Sequence, residues 1–302
     1  MLRYKADIKT LVYMLLTTAL LIIQWKIGRV IPALYIVFLF MGVAVSVIAH
    51  NHNHLSIWKS KTLNQLTDYW LTLFYGFPVF AWIPTHNQNH HSLNNREGDY
   101  TITYRLTEKN HLLMLLAYPT VSSYFQQKPI RDYLKQQWQK NRGRFYFCIS
   151  QYAVLGAYLA AALLWDWKKA VVFIVIPHQV ALFSVLVFNY VQHVHTDEES
   201  ERNHSRNFIG WLNLILFNNG YHTIHHETAG LHWSLTPEAH AKIAHTIDPV
   251  NVERSFWWYI LRVYFLGIFF PGLRTVSPRL ARMKDSSSPQ ADELPQREAV
   301  RV

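Results

Sequence analysis

Long apolar runs joined by short charged links dominate the chain. Residues 11–25 (LVYMLLTTALLIIQW) and 30–49 (VIPALYIVFLFMGVAVSVIA) carry no charge, and only KIGR separates them. A membrane-crossing helix needs about 20 consecutive apolar residues. The second run meets that length, and the first does so with its Tyr and Trp at the interface. No small-residue cleavage site follows the first run, so a helical hairpin is expected rather than a secretory signal. A second hairpin is predicted at 145–165 and 170–191, joined by DWKK, with both runs uncharged apart from His178. Between the hairpins the polarity is mixed. The apolar stretch 70–84 is broken by Gly76, Pro78 and Pro84, which predicts an interfacial or re-entrant segment. Residues 111–125 read similarly, 126–144 as a polar surface helix, and 208–217 as a short amphipathic helix. The apolar run 255–270 carries Arg262 in its middle. A central Arg costs roughly 3 kcal/mol in a crossing helix, so this run is expected to lie along the interface.

The pattern predicts an all-α integral membrane protein with four transmembrane helices in two hairpins and a helical cap. Residues 1–285 form one domain and 286–302, rich in Ser, Pro and charge, a disordered tail. Composition agrees: half of the residues are hydrophobic and only 16% are charged. The net charge of +10 comes from loops beside many Trp and Tyr, which suits a headgroup region. No nucleic-acid partner is expected. Most Lys and Arg lie on the side reached after residues 49 and 191, which predicts a cytoplasmic cap. One Cys, Cys148, excludes an internal disulfide, a zinc finger and an iron–sulfur centre.

Polar chemistry falls instead to 17 His. His50, His52 and His54 end the second apolar run. His86, His90 and His91 lie in HNQNHH, His193 and His195 follow the fourth run, and His222, His225 and His226 lie in HTIHH. Residues four apart share a helix face, so His50 and His54 project together while His52 points away. His86 with His90, His222 with His226, and Asn189 with His193 repeat that spacing. Imidazole ligates Fe, Zn and Cu, and two rings on successive turns can reach one ion. A single HxxxH is a common surface pattern, and HxxHH alone decides little. Several such clusters on one side of four spans define a metal centre, with too many imidazoles for one ion and enough for two. His111, His178, His204, His232, His240 and His245 lack such company and read as structural or surface residues, His232 also as a substrate-side candidate. His52 and His195 are expected behind the ligands or exposed.

These three boxes, with NYVQH at 189–193 and NNREGD at 94–99, resemble the membrane fatty acid desaturase and hydroxylase superfamily. The resemblance covers about residues 30–226. It implies a cytoplasmic cap holding two Fe ions, with O2 as co-substrate. It also implies a hydrophobic tunnel for an acyl lipid drawn from the bilayer. His50, His54, His86, His90, His91, His193, His222, His225 and His226 would be ligands, and Asn189 would hold a metal-bound water. The first box has three intervening residues, as in acyl-lipid members. No cytochrome b5 domain with its HPGG motif is found, so electrons are expected from a separate ferredoxin, rubredoxin or cytochrome b5 type carrier. The expected activity is desaturation of a long-chain fatty acyl lipid at a bacterial inner membrane. Hydroxylation of an alkyl or carotenoid-type lipid by the same site is the alternative. A His-rich metal transporter is the rival class, although transporters place ionisable groups near the midplane rather than at span ends.

Overall fold

The structure is a computed structural model that describes residues 1–286. Among the described residues, three helices are long and apolar enough to cross a membrane: Lys5–Ile27, Pro32–His54 and Arg142–His193. Helix α1 (Ile8–Ile27) ends at Gly28 in the left-handed conformation, and Pro32 opens α2 (Pro32–His54) at a position where its missing N–H costs nothing. Helix α3 (Lys61–Tyr75) is capped by the Ser60 hydroxyl. A π-helix at Ile83–His90 then leads into the one-turn α4 (His91–Leu93). Next come α5 (Leu112–Lys140), α6 (Arg142–Ala170), a π-helical turn at Val171–Val175, and α7 (Ile176–His193).

The third long helix runs through 52 residues but is not one rod. Asp166 leaves helical geometry, and its carboxylate accepts the Lys169 N–H, capping a second arm. Ala162 of the first arm and Ile174 of the second share one cluster, packed against Leu21 and Trp25 of α1.

The core is the crossing of α2 with α7. Ala44, Val45, Val47, Ile48 and Ala49 are buried in α2 beside Ala181. A Cβ at Gly42 would stand 3.9 Å from Ala181 Cβ, so small residues set how closely the two helices pack.

The stretch expected to be interfacial or re-entrant folds back on itself. Helix α3 ends at Gly76, in the left-handed region at φ +83, and a Cβ there would lie 2.4 Å from the His178 ring. His178 Nε2 donates to Leu73 O, and His178 stands 15 residues before His193, about 22 Å along α7. The chain therefore descends in α3 and returns through the π-helix to the level of the α7 C-terminus. The turn's backbone donors are satisfied inside the protein: Thr72 Oγ1 accepts the Val79 N–H and Gln151 Oε1 the Phe80 N–H. A buried irregular turn requires such partners.

Several expectations need correcting. Residues 111–125 and 126–144 are not separate pieces; most of both form α5, with Pro119 and Pro129 inside it. The amphipathic helix expected at 208–217 shrinks to α8 (Leu212–Ile215). The helical fold class holds, with one short addition: β1 (Asn207–Phe208) pairs in parallel with β2 (Val252–Glu253). Arg262, in the middle of the apolar run 255–270, pairs with Glu253 and donates to Leu273 O. The expected tail lies outside the described residues except for Ser286, which ends a helix over Pro278–Ser286.

Candidate metal centre

The nine histidines expected as ligands come together at one end of α2 and α7, in two groups. His50, His54, His86, His91 and His225 form one; His90, His193, His222 and His226 form the other. Within each group the candidate ligand nitrogens all lie within 4.8 Å of one another. In the first, four Nε2 atoms close a ring: His50 to His86 at 2.9 Å, His86 to His91 at 3.1 Å, His91 to His225 at 3.0 Å and His225 to His50 at 3.0 Å. In the second, contacts run from His90 to His193 at 3.1 Å, His193 to His222 at 2.9 Å and His222 to His226 at 3.2 Å. Two imidazole nitrogens on one ion at about 2.1 Å, bound at right angles, stand about 3.0 Å apart. The observed edges match that separation. His54 Nε2 is buried without a hydrogen-bond partner, as a nitrogen reserved for a cation would be. The donor set therefore fits two imidazole-bound transition-metal ions.

Spacing alone pairs these residues differently. An i,i+4 reading joins His86 to His90, yet the two fall in different groups, and His86 meets His91 five residues on. The π-helix causes this, since its wider turn aligns residues five apart. In the third box, α9 (His222–Glu227) sends His222 and His226 to one group and His225 to the other. Gly220 makes that approach possible, for a Cβ there would lie 2.1 Å from Phe208 O.

Outer contacts turn the rings. His90 Nδ1 lies 2.8 Å from Asp99 Oδ2, and His193 Nδ1 lies 3.3 Å from His204 O. A carboxylate or carbonyl only accepts, so each Nδ1 carries the proton and each Nε2 keeps a free lone pair. Asp99 is fully buried and also accepts from the Asn95 N–H and from Thr101, through its N–H and hydroxyl. Burial alone would raise its pKa; the His90 ring and the Thr101 bonds outweigh that and hold it below the usual carboxylate range. Burial first, then crowding by neighbouring imidazoles, holds His86, His222, His225 and His226 well below the ordinary value and His91 down at about 2. All five are neutral at physiological pH, the state that ligates.

Thr101 and Tyr118 carry no signal in the sequence that marks them as part of the centre, and Asp99 carries only its membership of a family-like run. The NNREGD run contains Asp99, but nothing in its spacing ties it to His90. Asn189 donates to Tyr118 Oη at 2.6 Å, and Tyr118 donates to Thr101 O. His52 points away from the metal groups as expected, but it is buried: its Nδ1 accepts the Ile57 N–H and its Nε2 faces Asp68. His195 bonds to Glu108 O. His232 pairs with buried Asp7 and stacks on Tyr4, away from the cavity that reaches both metal groups. His204 is not the bystander its sequence context suggests, because it is buried with its ring 5.6 Å from His226.

A cavity of about 450 Å³ meets both groups. His50 and His86 reach it from the first, His222 from the second, and Asn189 stands between α7 and α5. It follows α7 from Gln192 back to Gln179, about 20 Å of helix.

Long apolar helices ending in two imidazole groups over a shared cavity define a class: membrane-type helical proteins with a histidine site that could hold transition metals. The family model for fatty acid desaturases matches residues 27–258, and the chain belongs to that family. It is thus an integral membrane protein and an oxidoreductase of the desaturase and hydroxylase type. Comparison with curated proteins and with solved structures gives no match.

Proposed function

We propose that this protein is an O2-dependent di-iron desaturase that introduces a C=C bond into a long-chain fatty acyl lipid. Electrons come from a separate carrier of ferredoxin, rubredoxin or cytochrome b5 type. The observation that carries the reading is the cavity bounded by ligands from both histidine groups. Bound iron would supply the oxidising power toward an unactivated CH2 that no side chain has. This chain's own residues do the rest. Asp99 and the His204 carbonyl orient His90 and His193, the crowded imidazoles stay neutral, and the apolar α7 wall excludes water along an alkyl chain.

In this reading the 52-residue helix crosses twice, with its bend at Asp166 on the far side. The chain then has four spans in two hairpins, with the metal groups on the cytoplasmic face. Hydroxylation uses the same site and differs only in the fate of the substrate after the first hydrogen is removed. Transport of metal fits less well, because the two groups lie side by side at one end of α2 and α7.

The test is expression of the full chain in a bacterial host, with metal analysis of the purified protein and lipid analysis of the membranes. The expected result is close to two transition-metal ions per chain and new unsaturated acyl lipids that vanish with His91→Ala. A folded, active protein without bound transition metal would overturn the reading. Hydroxylated lipids in place of alkenes would move it to the alternative.

A further inference from the structure

This inference rests on the reading above and concerns the supply of protons. Desaturation consumes them: R–CH2–CH2–R′ + O2 + 2 electrons + 2 H+ gives R–CH=CH–R′ + 2 H2O. The electrons come from the carrier, and the protons must come from water. The large cavity is a poor route for them, because an alkyl chain lying along its α7 wall shuts water out.

A second, smaller cavity also meets the first histidine group. His50, His54 and His225 line it together with Asp7, Thr10 and His232. Its volume of about 30 Å³ is too small for a lipid and sufficient for a water molecule. Asn51, another of its lining residues, has a buried amide nitrogen without a hydrogen-bond partner, which a water there would satisfy.

Asp7 and His232 are both buried. His232 Nε2 lies 3.2 Å from Asp7 Oδ2, and His232 Nδ1 lies 2.8 Å from Ser234 Oγ. The Ser234 N–H donates to that same Nδ1. A backbone N–H only donates, so Nδ1 holds the lone pair, the Ser234 hydroxyl donates to it, and the ring proton sits on Nε2 toward Asp7. The three groups form a directed chain. It starts at Ser234, half-buried beside exposed Leu235, and ends at a carboxylate on the cavity wall. Thr10 and Trp233 both donate to Asp7 Oδ1 and hold the carboxylate in place. Tyr4 stacks on His232 with ring centroids 4.0 Å apart, Lys9 Nζ lies 5.5 Å from the Trp233 ring centre, and His52 lines the same cavity.

We propose that Ser234, His232 and Asp7 form the proton entry of this enzyme, passing protons from water into the cavity beside the first histidine group. In each passage His232 Nδ1 takes the Ser234 hydroxyl proton while Nε2 releases its own to Asp7 Oδ2. Ser234 recovers a proton from water, Asp7 hands its proton on into the cavity, and a half-turn of the imidazole restores the first tautomer. One proton enters and one leaves, and no electron moves.

Proton uptake by the purified full-length protein tests this. Iron-loaded, reduced protein in weak buffer is mixed rapidly with O2 in the absence of lipid, and an indicator dye follows the protons consumed. His232→Gln keeps a donor to Asp7 but cannot pass a proton, and Asp7→Asn removes the acceptor. Each should slow uptake by about 100-fold, the lower end of what a positioned acid–base group contributes. Iron content should stay that of the wild type. Asp7→Glu, which keeps the carboxylate, should restore most of the rate. Undiminished uptake in His232→Gln and Asp7→Asn at full iron content would overturn the proposal and leave the activity standing. Loss of iron in both variants, or slowing that Asp7→Glu does not relieve, would assign the pair to structure alone and overturn it as well. A wild-type protein that binds iron yet consumes no protons with O2 would remove the proposed activity, and the proton entry with it.

Discussion

At the residue scale, the centre depends on groups that never face the cavity. Asp99 fixes the proton of His90 on Nδ1. In Asp99→Asn the amide can donate as well as accept, so the ring loses its fixed tautomer while the volume is kept. Loss of such an outer partner typically costs about 10–100-fold in metal affinity or activity. Metal titration of Asp99→Asn should show that loss with secondary structure unchanged, and unaltered affinity would remove Asp99 from the centre. The imidazoles themselves predict a pH dependence. His86, His91, His222, His225 and His226 have folded pKa values below the unfolded value of 6.5. Below pH 6.5 the unfolded chain therefore binds more protons than the folded one, and stability falls with falling pH. Above 6.5 this contribution is fully present and flat. Melting of the metal-free protein followed from pH 8 to pH 5 should decline only in the acid half.

At the element scale, the buried turn after α3 brings the second box to the first. Gly76 holds a left-handed conformation directly against the His178 ring, so any side chain there meets both strain and overlap. Gly76→Ala should destabilise by about 1–3 kcal/mol, the usual range for overpacking. Melting temperatures in one detergent, compared with Gly156→Ala, would check this, since no atom stands within 4 Å of a Cβ at Gly156. The π-helix matters in the same way. An α-helical Ile83–His90 would keep the i,i+4 pair together and leave His91 off the ring of four nitrogens.

At the scale of the whole molecule, the proposed topology places both histidine groups on one face and both hairpin links on the other. Single cysteines at Asn94 and Glu199 should label from the cytoplasm in intact cells, and those at Arg29 and Lys168 from the outside. Lys168 is the decisive position, because it reports whether the 52-residue helix crosses once or twice. Labelling of positions 94 and 168 from the same face would rule out the fourth span.

Much of this is legible in the amino-acid sequence. Apolar run lengths, the KIGR and DWKK links and the four His clusters are local properties, set by the roughly 20-residue demand of a bilayer and by which side chains can ligate a metal. They determine where the long helices lie and which nine imidazoles meet. The partition of those imidazoles is not local. His86 parts from His90 because a π-turn, stabilised by packing around Trp82 and the buried turn below it, changes the period of one short helix. Asp99 reaches His90 through a loop whose left-handed Asn94 and Asn95 reverse the chain, and His204 arrives beside His226 by the path of the chain after α7. Periodicity records which residues share a face; only the packed helices determine what that face meets.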